Sequence, residues 1–349
     1  MLYNQLLINK NKNIIDALDH LSSIRDFSRL VLFVINENNK ILGSLTDGDI
    51  RRSLRVDKDL YKKVGDICQL DFSFCYESKC YVSFASFKNK NLKIIPMLND
   101  DKTLSRVIDL KNKSCLLPIE SVIMAGGRGK RLRPLTDNIP KPMLHLGDKP
   151  IIEHNIDKLS SFGINTIYIT INYLGDQIKK AFGNGNSKNI NIEYINENKP
   201  LGTAGSLSLI ENIKSEYILL MNSDLFTNID LEKMYNKMIA NDADMIIAST
   251  NYNIDVPYAI LENGPENNII SLSEKPSYTY NSNAGIYIFK KELINKIPKN
   301  EFFDITDLIV ELIKENLKII NYSIAGYWID IGKLEDFKKA KELLQHQNQ

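Results

Sequence analysis

Between Met124 and Met143 the chain reads Met-Ala-Gly-Gly-Arg-Gly-Lys-Arg-Leu-Arg-Pro-Leu-Thr-Asp-Asn-Ile-Pro-Lys-Pro-Met, directly after the apolar residues Val122 and Ile123. Glycines at 126, 127 and 129 let a backbone take positive φ and come close to a ligand, so that successive N–H groups can face anionic oxygens. Arg128, Lys130, Arg131 and Arg133 add charge to that turn. Lys141 stands between Pro140 and Pro142, which fix φ and remove two donors, so a stiff extended strut is expected there. These residue types in this order suit a polyphosphate.

Two common phosphate loops do not fit. A Walker loop needs Gly-Lys followed by Ser or Thr, and Arg131 follows Gly129-Lys130 here; the dinucleotide pattern G-x-G-x-x-G fails as well. Other acidic and small residues stand at places where ligands are commonly held. Asn222 and Asp224 follow the apolar run Tyr217 to Met221, which puts Asp224 at a strand's carboxyl end, and Asp330 sits in Trp328-Ile329-Asp330-Ile331-Gly332. A carboxylate at a strand's carboxyl end is well placed for a hard cation, and equally for capping a helix. Gly202 and Gly205 open a helix from a tight turn, and Glu274-Lys275-Pro276 on its own reads as a surface turn.

The segment from Gly126 to Pro142 resembles the signature of the sugar-1-phosphate nucleotidyltransferases, Gly-Gly-x-Gly-x-Arg-Leu-x-Pro-Leu-Thr followed by Pro-Lys-Pro. Five further stretches between residues 121 and about 340 resemble that family too. The resemblance implies a Rossmann-like, GT-A-like α/β fold with a mostly parallel sheet flanked by helices. It implies transfer of a nucleotidyl group from a nucleoside triphosphate to a sugar-1-phosphate, with Mg²⁺ held by Asp224 and Asp330. Arg128 and Lys141 would act on the phosphates as catalytic residues. Ala125, Gly126, Gly127, Gly129, Gly202 and Asn222 would bind the nucleotide; Gly205, Glu274, Lys275 and Asn283 would bind the sugar phosphate. Asp304, before the last of these helices, is as much a helix cap as a contact.

The elements that must position these groups follow from periodicity. Short β-branched runs at 121–124, 166–171, 190–195, 217–221, 245–250, 259–262, 284–289 and 319–324 alternate with amphipathic stretches at 151–162, 174–182, 205–210, 231–241, 290–296 and 304–315. That alternation argues a parallel sheet covered on both faces, with ligands beyond the strands' carboxyl ends. A length of 349 residues suggests about two domains, and the apolar pattern restarts after Lys111 to Ser114, so units 1–117 and 118–349 are expected.

The first unit reads helix at 14–21, strand at 30–35, turn at 36–40, strand at 41–45 and then a helix, an order repeated imperfectly over 81–110. Gly43, Thr46 and Asp49 resemble the cystathionine-β-synthase (CBS) motif, a paired module that often binds adenine nucleotides. The resemblance implies a small α+β CBS pair with a degenerate second copy and a regulatory nucleotide near Thr46 and Asp49. Capping of the following helix accounts for the same residues.

Net charge is +1, with cations and anions interleaved, which argues against nucleic acid as a partner. No apolar run reaches the roughly 20 residues of a membrane span, and the opening Met-Leu-Tyr-Asn-Gln lacks a signal-peptide pattern, so a cytoplasmic protein is expected. Cys68, Cys75, Cys80 and Cys115 include no C-x-x-C pair, which disfavours zinc. Fused to a CBS pair and carrying Leu201-Gly202-Thr203-Ala204-Gly205, the chain looks most like bacterial enzymes that load GTP onto glucosamine-1-phosphate for legionaminic acid synthesis, and a homo-oligomer is expected. Mannose-1-phosphate guanylyltransferase, a UTP- or dTTP-dependent glucose-1-phosphate transferase and a catalytically silent nucleotide-sugar sensor are the alternatives.

Overall fold

The computed structural model describes residues 2–24, 31–78, 81–111 and 113–347, so Leu30 and Cys80 lie outside the described residues. The chain divides into two compact units, Met1–Leu117 and Pro118–Gln349.

The first unit contains two halves of one design. Strand β1 (Leu7–Asn9), helix α1 (Ile14–Ser23), β2 (Val31–Ile35) and β3 (Ile41–Thr46) lead into α2 (Asp47–Asp57). In the second half β4 (Cys75–Tyr76), α3 (Ala85–Asn89), β5 (Ile94–Leu98) and β6 (Leu104–Asp109) follow the same order. Each half makes a three-stranded sheet whose first pair is parallel and second antiparallel, β1-β2-β3 and β4-β5-β6. Among the described residues the second half has no counterpart of α2. Gly43 is needed for packing, because a Cβ there would lie 2.6 Å from the Gln69 carbonyl oxygen.

The second unit is built on a seven-stranded sheet. Its strands are β7 (Ile119–Met124), β8 (Thr166–Ile171), β9 (Asn191–Asn196), β10 (Tyr217–Asn222), β12 (Met245–Asp255), β15 (Ser277–Lys290) and β16 (Ile319–Ser323), ordered β9-β8-β7-β10-β15-β12-β16. All pairs are parallel except the two made by β15, which runs antiparallel to both neighbours. Val122, Ile123, Ile218, Leu219 and Leu220 are fully buried, as a strand covered on both faces requires. Helices α4 (Ile151–Ser161), α5 (Gly175–Phe182), α6 (Leu231–Ala240), α7 (Ile305–Lys314) and α8 (Leu334–Gln347) connect or follow these strands.

Two short ladders stand apart from the main sheet. Strand β11 (Leu225–Thr227) pairs antiparallel with β17 (Trp328–Asp330), and β13 (Ile260–Asn263) pairs antiparallel with β14 (Ile269–Ser273). Strands β12 and β15 run well past the expected 245–250 and 284–289, their ladder continuing to Asp255 and Ser277. Residues 291–296 form a 3₁₀ helix, and 202–209 divide into one short α turn and one 3₁₀ turn.

Candidate active site

Strands β7, β8 and β10 end side by side, and the chain leaving each one lines a cleft of about 560 Å³. The glycine loop after β7 forms one wall. Ala125 is buried beneath it, and its N–H donates to the Thr170 carbonyl at 3.0 Å, so this residue anchors the loop. Gly126, Gly127 and Arg128 line the cleft, and the Arg128 guanidinium lies 5.8 Å from the centre of the Tyr173 ring. Gly129, at φ +61°, borders a smaller adjoining hollow of about 280 Å³ together with Lys130, Arg131 and Lys141. A Cβ at 129 would fall 2.9 Å from the Lys141 Cβ, so the glycine lets the loop lie against the lysine.

Lys141 starts a single 3₁₀ turn, Lys141–Met143, in place of the expected extended strut. Pro140 is extended, but Pro142 sits in the first turn, where its missing N–H costs nothing and its fixed φ suits a helix. The lysine side chain is only 12% exposed; its ammonium donates to Asp224 Oδ2 and lies 3.9 Å from Asp330 Oδ1.

The two carboxylates are brought together by the β11–β17 ladder, which pairs Leu225 with Asp330, and the Ile331 N–H donates to the Asp224 carbonyl at 3.0 Å. Asn155 of α4 braces the same turn from behind, its amide donating to the Ser223 carbonyl at 3.1 Å. Burial, and then the charge of Asp224, push the Asp330 carboxyl up, while Lys141 and Arg131 pull it back in part. Asp224 Oδ1 and Asp330 Oδ1 are both buried with no hydrogen-bond donor. Two buried carboxylate oxygens left without donors are what a hard cation requires. No group of three or more metal-binding side chains is gathered among the described residues, and Mg²⁺ commonly takes only one or two carboxylates beside phosphate oxygens and water.

The opposite wall is the 197–205 turn docked on 301–305. Gly202, at φ +77°, lines the cleft, and Gly205 lies beneath it. A Cβ at 202 would stand 2.7 Å from the Phe303 carbonyl oxygen, and one at 205 would stand 2.5 Å from that of Glu301. The N–H groups of Ala204 and Gly205 donate to Phe303 at 3.0 and 2.9 Å. Asp304 caps α7 and also accepts the Thr203 N–H at 2.9 Å, so its role here is structural. Asn222 lines the cleft beside Gly285, where a Cβ would come within 2.6 Å of the Asn222 Nδ2.

Glu274, Lys275 and Asn283 are exposed and do not line this cleft. Asn283 Oδ1 accepts the Gly285 N–H at 3.0 Å, and Glu274 and Lys275 connect β14 to β15.

Glu197 was not singled out by the sequence reading. It follows β9, lines the cleft and faces the glycine loop, so that a Cβ at Gly126 would lie 3.1 Å from Glu197 Oε1. Burial pushes its carboxyl up against two weaker opposing contacts, the Leu201 N–H at 3.5 Å and the Thr170 hydroxyl. Its signal in the sequence was an acid just past a strand end and ahead of the Lys-Pro-Leu-Gly turn. Phe302 lines the same cleft.

In the first unit the Thr46 and Asp49 side chains are turned on each other. Asp49 is 4% exposed and accepts the Thr46 N–H at 2.8 Å, the Thr46 hydroxyl at 2.6 Å, the Gln69 amide at 3.0 Å and the Arg52 guanidinium. Burial opposes its ionised form, yet these donors together hold its carboxyl below the usual range.

Residues 120–347 match the family described as nucleotidyl transferase. The chain is 30% identical over 230 residues to the D-glycero-alpha-D-manno-heptose 1-phosphate guanylyltransferase of Aneurinibacillus thermoaerophilus, covering 65% of this chain and 99% of that one. It is 28% identical over 227 residues to the mannose-1-phosphate guanylyltransferase of Mycobacterium tuberculosis; this covers 64% of the chain and 63% of the relative, under two thirds of its length. A crystal structure of HddC from Yersinia pseudotuberculosis complexed with GMP-PN aligns with a TM-score of 0.51 at 28% identity, over 64% of this chain and 99% of that one.

Proposed function

Since this chain belongs to the nucleotidyl transferase family, we propose that it transfers a nucleotidyl group from GTP to a sugar-1-phosphate, releasing pyrophosphate. The observation that carries the reading is the pair of donor-less carboxylate oxygens, on Asp224 and Asp330, next to Lys141 and facing a cationic glycine loop. Bound Mg²⁺ would supply charge neutralisation for the triphosphate. Arg128 holds the β- and γ-phosphates, Lys141 the α-phosphate and Lys275 the sugar phosphate. The N–H groups of Gly126, Gly127 and Gly129 face phosphate oxygens, Gly202 and Asn222 border the nucleoside, and Gly205, Glu274 and Asn283 shape the sugar side.

No general base is needed. A phosphate monoester's second pKa is near 6, so the attacking sugar phosphate is largely dianionic at pH 7. The work of the site is to align two polyanions for in-line attack at the α-phosphorus and to stabilise the departing pyrophosphate.

Glu197 favours guanine. Guanine presents two adjacent donors on its Watson–Crick edge, N1–H and the N2 amino group, which match the two oxygens of one carboxylate. Uracil and thymine present a single N–H between two carbonyls, which a carboxylate repels. The names of the heptose and mannose phosphate guanylyltransferase relatives agree with that base.

The proposed sugar is glucosamine-1-phosphate, giving GDP-glucosamine for legionaminic acid or flagellar glycan synthesis. The first unit acts as a CBS pair taking a regulatory nucleotide, and the protein works as a cytoplasmic homo-oligomer. Two features support this reading: the Leu-Gly-Thr-Ala-Gly turn and the tandem strand–helix–strand–strand unit ahead of the transferase. Pyrophosphate release with Mg²⁺ across the common nucleoside triphosphates and glucosamine-, mannose-, glucose- and N-acetylglucosamine-1-phosphate tests the reading. Strong turnover with GTP and glucosamine-1-phosphate is expected. Turnover with another sugar overturns the substrate alone, and an empty matrix overturns the activity.

A further inference from the structure

Helix α4 turns Ile151, Ile152, Ile156 and Leu159 to the interior, and among them stands Asn155, 2% exposed and the only asparagine or glutamine buried among the described residues. Asparagine weakens a helix interior and is costly to bury unless its polar atoms are met. Packing alone would favour another aliphatic side chain here. The amide instead donates to the Ser223 carbonyl at 3.1 Å, in the turn that carries Asp224.

We propose that Asn155 is a positioning residue: it fixes the peptide that precedes Asp224 and so sets where Asp224 and Asp330 together hold their cation.

Three hydrogen bonds secure this turn. The Ser223 N–H donates to the Met124 carbonyl at the end of β7 at 3.2 Å, Asn155 donates to the Ser223 carbonyl, and the Ile331 N–H donates to the Asp224 carbonyl at 3.0 Å. Peptides are planar, so holding the plane on each side of the Asp224 Cα fixes the direction of its Cβ. Only the two side-chain torsions then remain free. Backbone groups alone hold the plane after Asp224, whereas the plane before it is held through its carbonyl by a side chain, that of Asn155.

The same contacts tie the second carboxylate to the first. The Ile331 N–H belongs to the peptide that follows Asp330, so a shift of Asp224 is passed to its partner. Helix α4 is a firm base for the brace, because Ile151 packs in one cluster with Phe226 of β11 and with Ile331, next to β17. Mg²⁺ demands nearly ideal octahedral geometry at about 2.0–2.1 Å, and loss of a group that orients a metal ligand typically costs roughly 10–100-fold in metal affinity or activity. This inference rests on the proposed role of Asp224 and Asp330 with Mg²⁺.

The test replaces Asn155 by Leu in the full chain, which keeps the volume and removes the donor. Mn²⁺ is the probe, and the electron paramagnetic resonance of the free ion reads its binding with no turnover. Asn155→Leu is expected to bind Mn²⁺ about tenfold or more weakly than wild type. The Mg²⁺ needed for half-maximal pyrophosphate release should rise by a similar factor, with the rate recovering as Mg²⁺ is raised and KM for sugar-1-phosphate changed little. Leu159→Ala, on the same helix, should lower the thermal midpoint and keep the wild-type Mn²⁺ affinity. If the leucine variant does not fold, Asn155→Ser, too short to reach the carbonyl, is read in the same titration. Wild-type Mn²⁺ affinity in a folded Asn155 variant, or an equal loss in Leu159→Ala, overturns the positioning role. A wild type that takes up no Mn²⁺, with or without α,β-methylene-GTP, overturns the metal reading beneath it.

Discussion

Replacing Glu197 by Gln swaps one acceptor oxygen for an amide donor while keeping shape and volume. In the structure this carboxyl lines the cleft against Gly126, and among the described residues its hydrogen-bond donors are the Leu201 N–H, at a long 3.5 Å, and the Thr170 hydroxyl. Both oxygens therefore retain acceptor capacity for a ligand. Guanine would keep one hydrogen bond, now to a neutral amide oxygen, and would exchange the other, charge-assisted and worth about 1.5–3 kcal/mol, for an unfavourable donor–donor contact. A loss of about 3 kcal/mol corresponds to a fall of about 10²-fold in kcat/KM for GTP. The amide meanwhile offers a donor to a uracil carbonyl and an acceptor to N3–H, so kcat/KM for UTP should rise several-fold. The assay is pyrophosphate release with each triphosphate at saturating sugar-1-phosphate. An unchanged GTP-to-UTP ratio in a folded Glu197→Gln protein would refute the assignment of Glu197 to the base.

Three further outcomes are expected. Lys141→Ala should cut kcat by about 10²-fold or more, about 2.7 kcal/mol of transition-state stabilisation; near wild-type turnover would remove Lys141 from the chemistry. Burial raises the Glu197 carboxyl, so GTP affinity should fall as pH drops through a value above the ordinary carboxylate range, and the Glu197→Gln variant should lack that limb in a titration followed by calorimetry. Asp49 has a lowered carboxyl, so it adds stability above the ordinary carboxylate pKa of about 3.9 that is lost as pH falls through its lower folded value. Asp49→Ala should accordingly lower the stability of the first unit by about 1–2 kcal/mol near neutral pH, with the difference shrinking in acid, as read by denaturant unfolding.

The parts of the fold governed by local pattern were legible in the sequence. Helices at 151–161 and 231–240 and strands at 166–171 and 217–222 show apolar spacing that matches the observed burial. The outer ladder of β12 and β15 was not legible. Residues 251–255 and 277–283 are polar at alternate positions and exposed on both faces, so they carried no sign of a core, and only pairing with each other makes them strands. Lys141 was expected on an extended strut because two prolines flank it, yet a first helical turn accepts proline equally well.

Site residues tied to a backbone requirement were the easier ones to find. Gly129, Gly202 and Gly285 each have positive φ and a neighbour within 3 Å of where a Cβ would be. Glu197 escaped because an acid after a strand is common and its meaning comes from Gly126, 71 positions earlier in the chain. Thr46 and Asp49 read equally as a ligand pair and as a helix cap, and the structure shows the capping contacts, with Gln69 and Arg52 also on Asp49.

The central claim is that Asp224, Asp330, Lys141 and the glycine loop together form a metal-dependent nucleotidyl transfer site. The most direct measurement compares wild type with Asp330→Asn in a reaction containing GTP, Mg²⁺ and glucosamine-1-phosphate, with the nucleotide-sugar product followed by mass. The account predicts a GDP-sugar that forms in step with pyrophosphate, requires Mg²⁺ and falls by at least about 10²-fold in the variant. Product formation that survives either chelation or Asp330→Asn would contradict it.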